Sequence, residues 1–305
     1  MCDRTAPRIP WQSRTLWSKL QTQTQHGLVT GALRPIDTNY EIVPDGGMAF
    51  IVRILTNLNR KDQARKVQTQ EKTNPFLPYD PNLYVTDISD THVCLLNKFN
   101  VVDHHFLIVT RAFESQLNWL TLGDFQALCR CLDEVAGLVF YNGGEAAGAS
   151  QPHKHLQIVP QPSMDLPVEP AIRATQFIDG IGQSPQLPYA HCIAQLSPDD
   201  GAEQWLKRYR QLLSHLAIDD PTGQWQDPQR QAYNLLGTRN WLMVVPRRQE
   251  NHLDVSVNSL GFAGSLLVKN QSQMDRLKQI GPMTLLKAVG QSSGPEQWAG
   301  LGPSP

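Results

Sequence analysis

Short apolar runs with strand-like alternation fill the middle third of the chain, and they predict its elements before any chemistry is considered. HVCLLNKF (92–99) and HFLIVT (105–110) are β-rich and joined by a short connection, which predicts an antiparallel pair. The period then changes. Phe125, Leu128, Cys129, Leu132 and Val135 recur at helical spacing, and Thr121 with Asp124 forms a capping-box-like start. LVFYN (138–142) and residues 153–159 return to strand character. The order strand, strand, helix, strand, glycine loop, strand predicts an antiparallel sheet with packed helices, an α+β plan.

The flanks read less regularly. Residues 1–38 look helical, and 40–58 mix an extended apolar run with a Gly-Gly turn. Residues 59–82 are polar, then Pro-rich, and read as a mobile loop. Residues 201–217 carry an apolar helical face with Trp205, Leu206, Tyr209, Leu212, Leu213 and Leu216, and 219–231 read as loop. YNLLGTRNWLMVVPRR (233–248) echoes LLNKFNVVDHHFLIVTR (95–111), and NSLGFAGSLLVKN (258–270) then falls where a second histidine strand would fall. We expect a decayed second copy, against the alternative of two unrelated hairpins of similar composition. Four parts follow: 1–160 as the catalytic part, 161–190 as a Pro-rich linker or lid, 191–290 as the C-terminal part, and 291–305 as a disordered tail.

The 305 residues, 40% hydrophobic and 18% charged, fit one elaborated globular domain or two halves. A net charge of −1 gives no support to a nucleic-acid or anionic-membrane surface. No secretory signal and no bilayer-length apolar run is visible. Cys2, Cys94, Cys129, Cys131 and Cys192 form no Cys-x-x-Cys pair and read as free thiols, so the expected compartment is the cytoplasm.

The chemistry concentrates in GASQPHKHLQIVP (148–160). On a strand, His153, His155 and Gln157 share one face, while Leu156 and Ile158 anchor the other. An imidazole can attack a nucleotide's α-phosphorus if one nitrogen is unprotonated and the other is held by a fixed acceptor. The 142–151 loop can supply the anion donors through backbone amides, Ser150 and Gln151. From the residues alone, a nucleophilic histidine, a His-x-His metal site and a structural pair all remain open.

The run from Leu138 to Pro160 resembles the histidine-triad superfamily, with Gln157 in the third position. FYNGG, GASQPHKHLQ, LLNKF (95–99) and NSLGFAG with Lys269 resemble its ATP adenylyltransferase (diadenosine tetraphosphate phosphorylase) branch. The resemblance implies a histidine-triad-like fold that phosphorolyses diadenosine tetraphosphate reversibly to ATP plus ADP. It implies His155 as the nucleophile carrying AMP, His153 as a positioning or polarising group, and Gln157 on the phosphoryl group. It places Asn142, Gly148, Ala149, Ser150 and Gln151 on the phosphates and Asn97 and Lys98 on the nucleotide or polyphosphate. Asn258, Ser259, Leu260, Ser265 and Lys269 would add contacts from the second half, and Lys61 a further phosphate contact. The implied ligands are ATP, ADP, AMP, phosphate and diadenosine polyphosphates, with Mg²⁺ or another divalent cation arriving on the nucleotide. No nucleic acid or membrane partner is expected. The rivals are a hexose-1-phosphate uridylyltransferase, a hydrolase of the same superfamily, and a nucleotide sensor without turnover.

Overall fold

The computed structural model describes residues 10–56, 74–160, 166–218, 225, 229 and 231–292. In chain order, helix α1 (Leu16–Thr30) precedes a hairpin of β1 (Thr38–Asp45) and β2 (Met48–Leu55), turned at Gly46-Gly47. Strands β3 (Tyr84–Asp87), β4 (His92–Leu96) and β5 (Phe106–Thr110) lead to α2 (Leu122–Leu132), then β6 (Gly137–Gly143) and β7 (His155–Pro160). Next come α3 (Glu169–Arg173), β8 (Gln176–Ile178), β9 (Ile181–Gln183) and β10 (Cys192–Gln195). Helix α4 (Ala202–His215) leads into β11 (Tyr233–Thr238), β12 (Trp241–Pro246), β13 (Asn251–His252) and β14 (Val255–Ser256). The chain closes with α5 (Ser259–Phe262), β15 (Ser265–Val268), α6 (Gln271–Ile280) and α7 (Pro282–Val289).

Ten strands form one sheet in the order β3-β4-β5-β7-β6-β11-β12-β10-β9-β8. Every pairing within it is antiparallel. Read outward from the central β6–β11 pair, the two halves have the same connectivity: β3-β4-β5-α2-β6-β7 and β8-β9-β10-α4-β11-β12. The registers agree too. Gln157 lies between Leu107 and Phe140, and Met243 lies between Ile193 and Leu236. The expected second copy is therefore present, but its alignment differs from the expectation. WLMVVP (β12) is the counterpart of the histidine strand, with Trp241 at the position of His155, and 233–248 does not correspond to 95–111. NSLGFAGSLLVKN lies outside this sheet. It forms α5 and then β15, which pairs in parallel with β2 in a separate three-stranded sheet.

The described part of the segment expected to be a linker or lid is also built in. Val168, Ala171 and Ile172 are buried, and β8 and β9 complete the sheet.

One face of the large sheet carries a core that includes Leu156, Ile158, Tyr141, Leu235 and Val244, with Leu16 and Leu20 of α1, Phe125 and Leu128 of α2, and Trp205 and Leu212 of α4. The opposite face is covered unevenly. Over the second half, α3, α5–α7 and the small sheet bury Trp241, Met243 and Val245 in a second core. Over the first half there is a small cluster of Phe76 with Tyr84, Val93, Leu95, Leu107 and Val109. The equivalent face is therefore filled in one half and left for chemistry in the other.

Candidate active site

Strand β7 begins at His155, so His153 precedes the ladder and is held by an isolated bridge to Ser115. Both rings still share the face opposite Leu156, because the Phe76 ring contacts each, with centroids 5.5 and 5.4 Å away. His155 is buried, and its Nδ1 donates to the His153 carbonyl oxygen at 2.8 Å. That bond puts the proton on Nδ1 and leaves the lone pair on Nε2. Nε2 has no hydrogen-bond partner among the described residues. Burial lowers the His155 pKa to about 4, against the opposing carbonyl bond, so the ring is neutral at physiological pH.

His153 has both nitrogens engaged. Asn74 Nδ2 meets Nδ1 at 2.9 Å, and Nε2 donates to the Thr110 carbonyl oxygen at 2.8 Å. Burial lowers its pKa as well. With no lone pair left, it acts on His155 through its backbone carbonyl, and a metal shared by the two rings has no donor on His153. Among the described residues no group of three or more His, Cys, Asp or Glu side chains is arranged to hold a metal.

Behind the pair, Lys154 is fully buried and points to the other face, as strand alternation requires. Its ammonium lies 2.7 Å from Asp124 and 3.1 Å from Glu114. Asp124 also closes the capping box of α2 with Thr121 and meets His92 at 3.1 Å. The cations and donors outweigh burial and hold the Asp124 carboxyl down at about 2.

Gln157 is half-buried, and its amide approaches the His105 ring. His105 had no expected role, yet it belongs to this site. Asn97 Nδ2 donates to its Nδ1 at 3.1 Å, its Nε2 is buried without a hydrogen bond, and burial lowers its pKa to about 4. Asn97 thus has its amide nitrogen on His105 and its oxygen on the Phe99 amide. The Lys98 ammonium lies over the Phe99 ring rather than among the histidines.

The glycine loop is folded on itself. The amides of Gly144, Ala147, Gly148 and Ala149 bond Asn142, Gly144, Glu145 and Gly144 carbonyls, so they are not the open donors expected. The amides of Glu145, Ala146, Ser150 and Gln151 make no bond among the described residues, and Ser150 and Gln151 are the two that lead directly into the histidine strand. Gly148 is obligatory: its φ is +86°, and a Cβ would come within 2.9 Å of Asn258 Cβ.

Asn142 is a hub. Its Oδ1 takes Asn234 Nδ2 (2.9 Å) and the Ser259 amide (3.0 Å) and hydroxyl (2.7 Å). Asn234 in turn accepts from the buried Arg247 at 2.6 Å. Ser259 is therefore a tie between the halves. Asn258 caps α5 through the Leu260 amide, and its Cβ packs against Gly148. Leu260 packs on the second core. Ser265 opens β15 in the small sheet, and Lys269 follows its last residue, with its amide donating to Gln273. These two are not brought to the histidines by any contact. Lys61 lies outside the described residues.

Gln116 was missed altogether. Its buried side chain receives the His155 amide at 2.8 Å and donates to the Asn142 carbonyl oxygen at 3.0 Å. No local pattern singles out a glutamine in a loop, and its role comes from contacts 26 and 39 residues away.

A neutral, strand-mounted imidazole that follows a glycine loop with unused amides, on a duplicated α+β sheet, defines a nucleotidyltransferase-type site. The comparisons with known proteins specify it. Residues 6–174 match the Ap4A phosphorylase N-terminal domain, and residues 185–292 match the ATP adenylyltransferase C-terminal domain. The chain belongs to the Ap4A phosphorylase (ATP adenylyltransferase) family. Diadenosine 5',5'''-P1,P4-tetraphosphate phosphorylase 2 of Saccharomyces cerevisiae is 30% identical over 264 residues, covering 77% of this chain and 81% of the relative. Protein APA1 of the same yeast is 26% identical over 260 residues, covering 77% and 80%. The crystal structure of yeast Ap4A phosphorylase Apa2 in complex with Ap4A matches with a TM-score of 0.77 at 24% identity, over 93% of this chain and all of that one. The structure of Apa2 in complex with AMP gives 0.76, over 92% and 98%. These structural matches support the fold.

Proposed function

We propose that this protein phosphorolyses diadenosine tetraphosphate with inorganic phosphate to ATP and ADP, reversibly, through an adenylyl group carried on His155. The observation that carries the reading is the tautomer lock, with Nδ1–H on the His153 carbonyl and a free lone pair on a buried, neutral Nε2. In the first half-reaction Nε2 attacks the α-phosphorus, the P–O bond to the leaving ATP breaks, and a P–N bond forms. In the second, a phosphate oxygen attacks the same phosphorus, ADP leaves, and Nε2 regains its lone pair. The Ser150 and Gln151 amides and the Gln157 amide hold the charge on the phosphoryl oxygens. Gln157 cannot titrate, so it offers no proton shuttle for water, and this favours phosphate as the acceptor.

A divalent cation, Mg²⁺, enters with the polyphosphate and offsets its charge. The ligands of the cycle are then ATP, ADP, AMP, phosphate and diadenosine polyphosphates. We place the enzyme in the cytoplasm. The four described cysteines are free and buried, and no described helix is long and apolar enough to cross a membrane.

The test is chemical. Protein mixed with adenine-labelled diadenosine tetraphosphate in the absence of phosphate, and quenched, should carry acid-labile, base-stable label, and His155→Ala should carry none. Label that survives in His155→Ala would refute His155 as the carrier.

A further inference from the structure

Strands β6 and β7 pair regularly from Gly137–Pro160 to Phe140–Gln157. The same register carried two residues further sets Asn142 opposite His155. At that rung the direct ladder stops, and the side-chain amide of Gln116 stands between the strands. Its Oε1 accepts the His155 N–H at 2.8 Å, and its Nε2 donates to the carbonyl oxygens of Asn142 (3.0 Å) and His155 (3.3 Å). A primary amide offers the same donor and acceptor as a peptide unit, so Gln116 replaces a ladder rung while adding its own width. The wedge is fixed from behind. The Gln116 amide donates to the Pro152 carbonyl, the Tyr141 hydroxyl donates to the Gln116 carbonyl, and the side chain is 2% exposed.

The second half of the sheet provides an internal control. There β11 and β12 continue to pair down to Thr238–Trp241, the counterpart of Asn142–His155. The ladder closes in the half without the histidine and is held open in the half with it. We infer that Gln116 is a positioning residue that sets the distance of His155 from Asn142 and from the glycine loop that Asn142 opens, and so the space for an α-phosphoryl group at Nε2. The inference rests on His155 being the nucleophile.

Gln116→Glu keeps the length and the acceptor but loses both donations while ionised. A carboxyl enclosed by two carbonyl oxygens and apolar surroundings titrates well above the usual carboxylate range. Its protonated form restores an O–H donor. Gln116→Met keeps the length and loses both functions. The experiment is single-turnover labelling of His155 from adenine-labelled diadenosine tetraphosphate without phosphate, between pH 5 and 8, with circular dichroism at each pH and nucleotide affinity measured by titration. The expected result has three parts. Native protein labels at all these pH values. Gln116→Met binds nucleotide but labels roughly a hundredfold more slowly, as a displaced nucleophile does. Gln116→Glu is equally slow at pH 8 and speeds up as pH falls.

A Gln116→Glu rate that follows the native profile, or a Gln116→Met rate equal to native, overturns the inference alone. So does a Gln116→Glu chain that folds at neither pH, since Gln116 would then be needed for stability and not for aim. Native protein that takes no label on His155 instead overturns the nucleophile assignment beneath it.

Discussion

Each of the three histidines at the site does a different task, and hydrogen bonds decide which. His153 has spent both nitrogens, His105 keeps one buried nitrogen unbonded, and His155 has one nitrogen locked and one free. Spacing alone could place His153 and His155 on one face, but it could not rank them, because the partners that rank them are the Asn74 amide donor, the Thr110 carbonyl and the His153 carbonyl. A free imidazole near 6.5 would lose its nucleophilic lone pair through the mildly acidic range. Burial moves that loss to about 4 for His155. The internal phosphates of a dinucleoside tetraphosphate do not titrate between these values. Single-turnover adenylylation from diadenosine tetraphosphate should therefore stay level from pH 7 to 5 and fall only near 4. A limb centred near 6.5 would contradict the buried, neutral ring.

At the scale of elements, the histidine strand is held in place by charge as well as by its ladder. The Asp124 carboxylate caps α2 and accepts Lys154, so it joins the helix start to the back of β7. The capping box was legible because it is local: Thr121, Asp124 and a following apolar period are enough. The ion pair was not, because thirty residues separate its partners: spacing turns Lys154 away from the histidine face, as a structural or rim residue, and names no partner for it. The strands and α2 were legible for the same local reason. The alignment of the halves was misread because apolar strands share composition, and register is set by pairing between distant segments. Removing one member of a buried pair leaves an uncompensated charge, at a cost of about 3–5 kcal/mol. Lys154→Met and Asp124→Leu should each lose stability of that order in urea unfolding. The double variant should lose markedly less than the two single losses together. Strict additivity would show that the two charges do not act as a pair.

Across the whole molecule, duplication supplied two equivalent sheet faces, and packing assigned them different uses. Over the second half the counterpart of His155 is Trp241, whose indole donates to Glu169 at 2.9 Å beneath α3, and Met243 fills the position of Gln157. The counterpart of His105, by register, is His191, and it remains as a core residue. It donates through Nδ1 to Tyr189 and accepts the Ser184 amide at 2.9 Å. His105, His155 and His191 all have pKa values lowered to about 4, with burial as the leading cause. For such a group the unfolded chain binds a proton near 6.5 and the folded chain does not, so stability falls with falling pH until the folded pKa is reached. Each ring contributes of the order of 3 kcal/mol over that window at 1.36 kcal/mol per pKa unit. Asp124 works in a lower window: its carboxyl is depressed from 3.8 to about 2, so the stabilisation it gives is kept until pH drops below about 3.8. Urea midpoints should therefore decline steeply from pH 6.5 to 4, with a slope of at least three protons taken up on unfolding, His153 adding to these three rings in the same direction. Substituting His155 by Ala should reduce that slope by close to one proton, while leaving the Asp124 step below pH 4 in place. A native slope below one proton across pH 6.5–4 would mean that the three rings titrate alike in the folded and unfolded chain, and that the sheet does not keep them neutral.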